Sequence, residues 1–195
     1  ADVRKYEEVE AALQRAHAQF GDIDVLVSGA AGNFVAPAAG ISSNGFRTVV
    51  EIDLVGTFHV MRAAYAFLRK PGASLINISA DQAVRGYAGQ VHVCAAKAGI
   101  DQITRVLALE WGNEGIRVNS IAPGPIADTE GMRRLASTPQ IEARLKALVP
   151  LHRYGTKEEI ANACMFLSSP LAQYITGVVL PVDGGLAVAS ANTLG

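Results

Sequence analysis

Three side chains in this sequence have neighbours that would change what they do. Asp53 is set among Ile52, Leu54, Val55, Phe58 and Val60. A carboxylate there is expected to be partly desolvated, its pKa raised toward the working range of a proton donor. The plainer alternative is a buried aspartate accepting a hydrogen bond between helix and strand. Lys97 is flanked by Ala95, Ala96, Ala98 and Gly99, which mark a helical flank thin enough for close packing; the alternative is a solvated surface lysine. Asp183 stands in front of Gly184 and Gly185, and is either a second carboxylate for proton handling or a turn-forming aspartate.

The elements that must position these groups follow from periodicity. From Gln90 to Ile126, apolar residues recur at Ala98, Ile100, Ile103, Val106, Leu107 and Leu109, the spacing of a helix. Gly112 and Gly115 end it after Trp111, and Arg117 to Ala122 is a β-rich run closing on Pro123-Gly124-Pro125. Upstream, Tyr6 to Phe20 predicts a helix with Val9, Ala12, Leu13, Ala16 and Phe20 on one face and a stop at Gly21. A buried strand, Ile23 to Val27, runs into Ser28-Gly-Ala-Ala-Gly-Asn-Phe34, whose small residues would let a flat ligand approach the backbone. Asn44 to Leu68 reads as one long helix and Leu75 to Ser79 as the next buried strand. The loop from Ala80 to Gly89 carries Asp81, Arg85 and Tyr87 toward the same edge. Residues from about 128 to 150 are more polar and suit a substrate lid, with a helical segment around Ile141 to Leu148. Thr156-Lys-Glu-Glu159 is a capping box for a helix through Leu167, and the last strand spans Val178 to Val182. Strands alternating with helices predict an α/β fold: a doubly wound, mostly parallel sheet, Rossmann-like, with its ligand crevice at the strand ends.

The totals set limits. The 195 residues are 50% hydrophobic and 18% charged, enough for one core and one domain over 1–195. Seventeen basic against eighteen acidic residues leave a net charge of -1 without a cationic run, so neither nucleic acid nor an anionic membrane is an expected partner. Cys94 and Cys164 lie in apolar helical patterns and read as reduced packing residues, which favours a cytoplasmic setting. Trp111 and Met165 also read as core. No membrane span, leader or metal site is expected, and the terminal Thr-Leu-Gly is not an address of the Ser-Lys-Leu type.

The ordered set formed by Lys97, WGNEGIRVNSIAPGPI and TGVVLPVDGG closely resembles the C-terminal half of the short-chain dehydrogenase/reductase family. In that family the lysine is preceded at four residues by a catalytic tyrosine, and that place here holds Val93; the serine expected thirteen residues earlier falls on Ala80. Asp53 stands where the family usually has an asparagine of its proton relay. Valine for tyrosine, alanine for serine and aspartate for asparagine, with GAAGNF, QVH, AAKAGID and APGPI, resemble the 2,4-dienoyl-CoA reductase branch, particularly its peroxisomal-type members. The resemblance implies NADPH as cofactor, an acyl-CoA thioester as substrate and a homodimer or homotetramer. It gives Lys97 a role at the nicotinamide ribose and assigns Asp2, Val3, Ser28, Ala30, Gly32, Pro123, Gly124, Pro125 and Ile126 to cofactor contact. Asn33, Phe34 and His92 become candidates for the substrate. Tyr87, ten residues before Lys97, cannot replace the missing phenol from the helix.

The physics of the substitutions agrees. A dienoyl thioester takes hydride at its far carbon and spreads charge into a dienolate, so it needs oxyanion stabilisation and an α-carbon proton from water or an acid such as Asp53, with Asp183 helping to hold that water. Two other readings stay open: a carbonyl reductase with an atypical acid, and a catalytically silent nucleotide-binding or assembly subunit. No Gly-rich turn between a strand and a helix occurs here, so a pyrophosphate cradle has no candidate. Two βαβ units, roughly 60 residues, would carry it. A βαβαβ part missing from the N-terminus is therefore expected. A natural short form is the alternative, but it would leave the Ile23 to Val27 strand as an apolar edge.

Overall fold

Four strands, all parallel, lie side by side in the order β1-β2-β3-β4. In the computed structural model, which describes residues 1–136 and 138–189, they are β1 (Val25–Ser28), β2 (Ser74–Ile78), β3 (Arg117–Pro123) and β4 (Val179–Val182). Register puts Leu75 between Leu26 and Val118. The helices are α1 (Tyr6–Phe20), α2 (Ser43–Val50), α3 (Gly56–Ala64), α4 (Val91–Trp111), α5 (Glu130–Leu135), α6 (Pro139–Leu148) and α7 (Lys157–Ser168).

Side chains alternate across the strands, so the sheet carries two cores. Leu75 and Val118 meet Met61, Leu107, Trp111 and Ile116 on one face. Ile76 and Ile121 meet Leu167, with Ile160, Ala163 and Cys164, on the other. Helices cover both faces, as expected for a parallel sheet, and each fully buried aliphatic side chain contributes about 1.5–3 kcal/mol. Local chemistry sets the helix ends. Gly21 adopts φ 81°, open to glycine, and returns its N–H to His17 O. Thr156 and Glu159 form the capping box that starts α7.

Several expectations need correction. The long helix is continuous from α2 to α3, but Glu51–Val55 is a π turn, and it passes through a 3₁₀ turn, Tyr65–Phe67, before Leu68. The first strand is not buried: Val25 and Val27 are 45% and 48% exposed, because β1 has a strand on only one side among the described residues. Phe20 and Met165 are exposed, as is Leu109 near the end of α4. Each belongs to an apolar sequence pattern, yet its helix turns it away from the sheet; Trp111 and Leu107, on the inward face, are buried.

The lid region holds two short helices. Thr129 Oγ1 accepts from Met132 N at the start of α5, and Thr138 Oγ1 accepts from Ile141 N at the start of α6. Among the described residues no helix is long and apolar enough to cross a membrane, and no group of His, Cys, Asp or Glu is arranged to hold a metal ion. The C-terminal Thr193-Leu194-Gly195 lies outside the described residues.

Candidate active site

Glycine lets α4 approach the π turn. A Cβ on Gly99 would come within 2.7 Å of Leu54 Cδ1, so a larger residue would force the Leu54 side chain to shift. The close approach brings Lys97, from the second turn of α4, to Asp53 in the middle of the π turn. Lys97 Nζ lies 3.5 Å from Asp53 Oδ2 and donates to Ile78 O at 3.1 Å. Gly32 N, in the loop after β1, donates to Asp53 Oδ1 at 2.7 Å. Three segments distant in sequence thus converge beside the C-terminal end of β2.

The pair is nearly dry, with Asp53 1% and Lys97 6% exposed. Burial raises the Asp53 pKa, against the opposing pull of Lys97 and of the Gly32 N–H. Burial lowers the Lys97 pKa, against the attraction of Asp53 and the weaker charge of Asp101. Both shifts favour the neutral forms, because desolvation of two charges outweighs their mutual attraction here. Asp53 Oδ2 has no hydrogen-bond partner, and an ammonium has three donors. The site therefore keeps a carboxyl oxygen that is ion-paired but not hydrogen-bonded, beside an amine with donors to spare. Val93 is buried at 3% exposure and brings no proton to the place where the resemblance expects a phenol.

The two carboxylates of the sequence reading have different partners. Asp183 takes Gly185 N on Oδ1 at 2.9 Å and Ala187 N on Oδ2 at 2.6 Å, which fastens the 3₁₀ turn Leu186–Val188. This is the turn-forming geometry, although each oxygen keeps a lone pair. Its backbone presses on the Pro123-Gly124-Pro125 loop: a Cβ on Gly124 would meet Asp183 Cα at 2.7 Å. Asp183 also borders a hollow of about 530 Å³ with Pro125, Ile126, Pro150 and Leu151.

A second cleft, of about 630 Å³, runs from Ser79, Ala80 and Asp81 to Met132, Leu135, Ile141 and Leu145 under the two lid helices, with Pro123 to Ile126 on its floor. Asp53 and Lys97 do not line it and stand behind its wall. The apolar lid residues were missed in the sequence, although Met132 and Leu135, and Ile141, Leu145 and Leu148, fall at helical spacing. Gln90 was missed as well. Its buried Oε1 accepts from Asn33 Nδ2 at 3.1 Å and Gln82 Nε2 at 3.3 Å, tying the loop after β1 to the cleft. Tyr87 donates to Asp81 Oδ2, and burial together with that carboxylate pushes the phenol's pKa well up, which makes it a weaker acid than a free phenol.

The remaining candidates divide. Phe34 is 40% exposed, but His92 is 0% exposed with its ring 4.4 Å from that of Phe34. His92 is therefore covered in this structure, with Phe34 among the groups packed on its ring. Ser28 is buried at the end of β1, Ala30 exposed in the following loop, and a Cβ on Gly32 would sit 3.2 Å from Ile52 Cδ1. Asp2 pairs with Arg4, whose hydrogen bonds hold its carboxyl far below the usual range. Val3 packs on α3, where a Cβ on Gly56 would meet Val3 Cγ2 at 2.7 Å. The residues present fit the nicotinamide-ribose half of a dinucleotide: spare donors on Lys97, an Asp53 oxygen without a hydrogen bond, and a Pro-Gly-Pro loop at the cleft floor. No cradle for the pyrophosphate half is present in the described residues.

Known proteins resemble this chain in sequence and in fold. The family model described as "Enoyl-(Acyl carrier protein) reductase" matches residues 1–187. The peroxisomal 2,4-dienoyl-CoA reductase [(3E)-enoyl-CoA-producing] of Rattus norvegicus is 49% identical over 196 aligned residues, covering 100% of this chain and 67% of that protein. For the corresponding Pongo abelii protein the share is 63%, so this chain spans about two thirds of the length of these relatives. A short chain dehydrogenase from Bacillus anthracis superposes with a TM-score of 0.84 at 37% identity, covering 99% of this chain and 76% of that one. A gluconate 5-dehydrogenase from Burkholderia cenocepacia, solved with NADP and tartrate, gives 0.92 at 29% identity, covering 97% and 74%.

Proposed function

The chain belongs to the short-chain dehydrogenase/reductase family, and from that premise we propose that it carries the proton-handling and acyl-binding part of an NADPH-dependent 2,4-dienoyl-CoA reductase. The observation that carries this reading is the buried Asp53 beside Lys97, in a site where Val93 and Ala80 replace phenol and hydroxyl. A carbonyl reductase must hand a proton to an oxygen; a dienoyl thioester accepts one at carbon. The name of the rat relative and the NADP bound to the Burkholderia neighbour support the same choice.

NADPH would supply hydride to the far carbon of the diene. Lys97, assigned to the ribose and nicotinamide side, holds positive charge near the developing enolate, where preorganised charge in a water-poor site stabilises it most. Asp53, with its pKa raised by burial, holds the proton that reaches the α-carbon through water, leaving a 3-enoyl thioester. Asp183 orders that water from the far side through its remaining lone pairs. Pro123 to Ile126, with Ser28, Ala30 and Gly32, carry the nicotinamide half, and Asp2 and Val3 the adenine side. Phe34 and Asn33 meet the thioester, and the chain lies in the apolar cleft under α5 and α6. A homodimer or homotetramer and a cytoplasmic setting complete the proposal.

The test uses the full-length protein with NADPH, followed by its absorbance, against hexadienoyl-CoA and a 3-ketoacyl-CoA. Turnover of the diene alone is the expected result. Reduction of the ketone without the diene would transfer the function to a carbonyl reductase, and no turnover of either to a silent subunit.

A further inference from the structure

One helical turn beyond Lys97, α4 buries a second carboxylate. Asp101 is 2% exposed and its Oδ1 has no hydrogen-bond partner; Ser79, also 2% exposed, has an unpartnered Oγ. Ser79 directly follows Ile78, whose carbonyl receives the Lys97 ammonium at 3.1 Å. Residues four apart share a helix face, so Lys97 and Asp101 look toward the same end of β2. Arg105 is a further turn along, exposed at the surface.

The proposed chemistry creates a need for such a group. While Asp53 is a neutral acid, Lys97 loses the charge of its one ion-pair partner, and an uncompensated buried ammonium is costly. It would then shed its proton, and with it the positive charge that stabilises the enolate.

We propose that Asp101 is a positioning residue that keeps Lys97 charged through both protonation states of Asp53. The proposal rests on the role assigned above to Asp53. Burial raises the Asp101 pKa, as it does that of Asp53, while Ser79, Arg105 and Lys97 act against that rise by favouring the carboxylate. Asp101 in turn acts to hold the Lys97 proton. The charged groups facing Lys97 are therefore Asp53 from the π turn and Asp101 from its own helix.

Two measurements test this. In the ligand-free protein, Asp101→Asn is compared by thermal melting in the native and the Lys97→Met backgrounds. The change in Tm should be clearly less favourable when the lysine is present; equal changes in both backgrounds overturn the proposal. In the full-length enzyme, removing a negative neighbour lowers the Lys97 pKa, so Asp101→Asn should move the alkaline limb of kcat toward lower pH by about one unit, with KM little altered. Asp101→Glu, which keeps the charge, should restore the limb; if it behaves like Asp101→Asn, the residue serves packing and the proposal fails. The melting comparison is independent of turnover, so absence of diene reduction in the wild type would remove the proposed function and leave the Lys97–Asp101 coupling to be judged separately.

Discussion

Lys97 Nζ stands 3.5 Å from Asp53 Oδ2 inside the protein, and the two groups are pushed by burial toward their neutral forms. A surface pair at this distance would be worth little. Here the same separation joins a carboxyl able to hold a proton to an amine that loses one more easily than usual, and the consequences are measurable.

Asp53→Asn keeps an oxygen for the Gly32 N–H, which donates at 2.7 Å in the native chain, while removing the titratable proton. The full-length variant should fold and bind NADPH with near-native affinity. Its kcat with hexadienoyl-CoA should fall by about 10²–10⁴-fold, the usual contribution of a positioned acid. Stopped-flow or steady-state NADPH absorbance reads this directly, and a retained kcat would move proton delivery to another group.

The same substitution has a pH signature in stability. Asp53 has a folded pKa above its unfolded value of about 3.8, so the folded state binds this proton more tightly. Its contribution is fully present below the unfolded value and is lost as pH rises through the folded one. The Tm difference between Asp53→Asn and wild type should therefore shift in favour of the variant as pH rises above about 4. A constant difference across that range would show that burial does not perturb the group.

Gly124 has no room for a side chain, since a Cβ would come 2.7 Å from Asp183 Cα. Gly124→Ala should displace the 183–185 turn, cost about 1–3 kcal/mol of stability, and raise the Kd for NADPH. Chemical denaturation and a fluorescence titration measure the two effects. Native-like values in both would place the Pro123-Gly-Pro125 loop outside the cofactor site.

The apolar cleft under the lid should set acyl length. Met132 and Leu145 line it, and Leu145→Trp would fill part of its volume. We expect kcat/KM to fall about tenfold for long-chain dienoyl-CoA and little for hexadienoyl-CoA, since a change of methylene size in an apolar pocket is worth about 1–3 kcal/mol. An equal loss at every chain length would put the acyl group elsewhere.

Much of this was legible in the chain alone. Alternation of β-rich runs and 3.6-residue patterns determined a doubly wound parallel sheet, because burial on two faces demands that order of elements. The neighbours of Asp53 announced a desolvated carboxylate, and Val93 announced the absent phenol. Periodicity could not say which apolar residues of a helix face inward, so Met165 read as core and is exposed, as are Phe20 and Leu109 of the helical patterns. The exposure of β1 depends on its place at the end of the strand order, which local sequence does not encode. Only the tertiary structure decided that Asp53 meets Lys97 while Asp183 caps a turn, that His92 lies covered with Phe34 packed on its ring, and that Asp101 faces the same end of β2. The reason is physical: residue types and spacing establish what a side chain can do, but distance, burial and hydrogen-bond partners arise when α4, the π turn and the strand ends pack together.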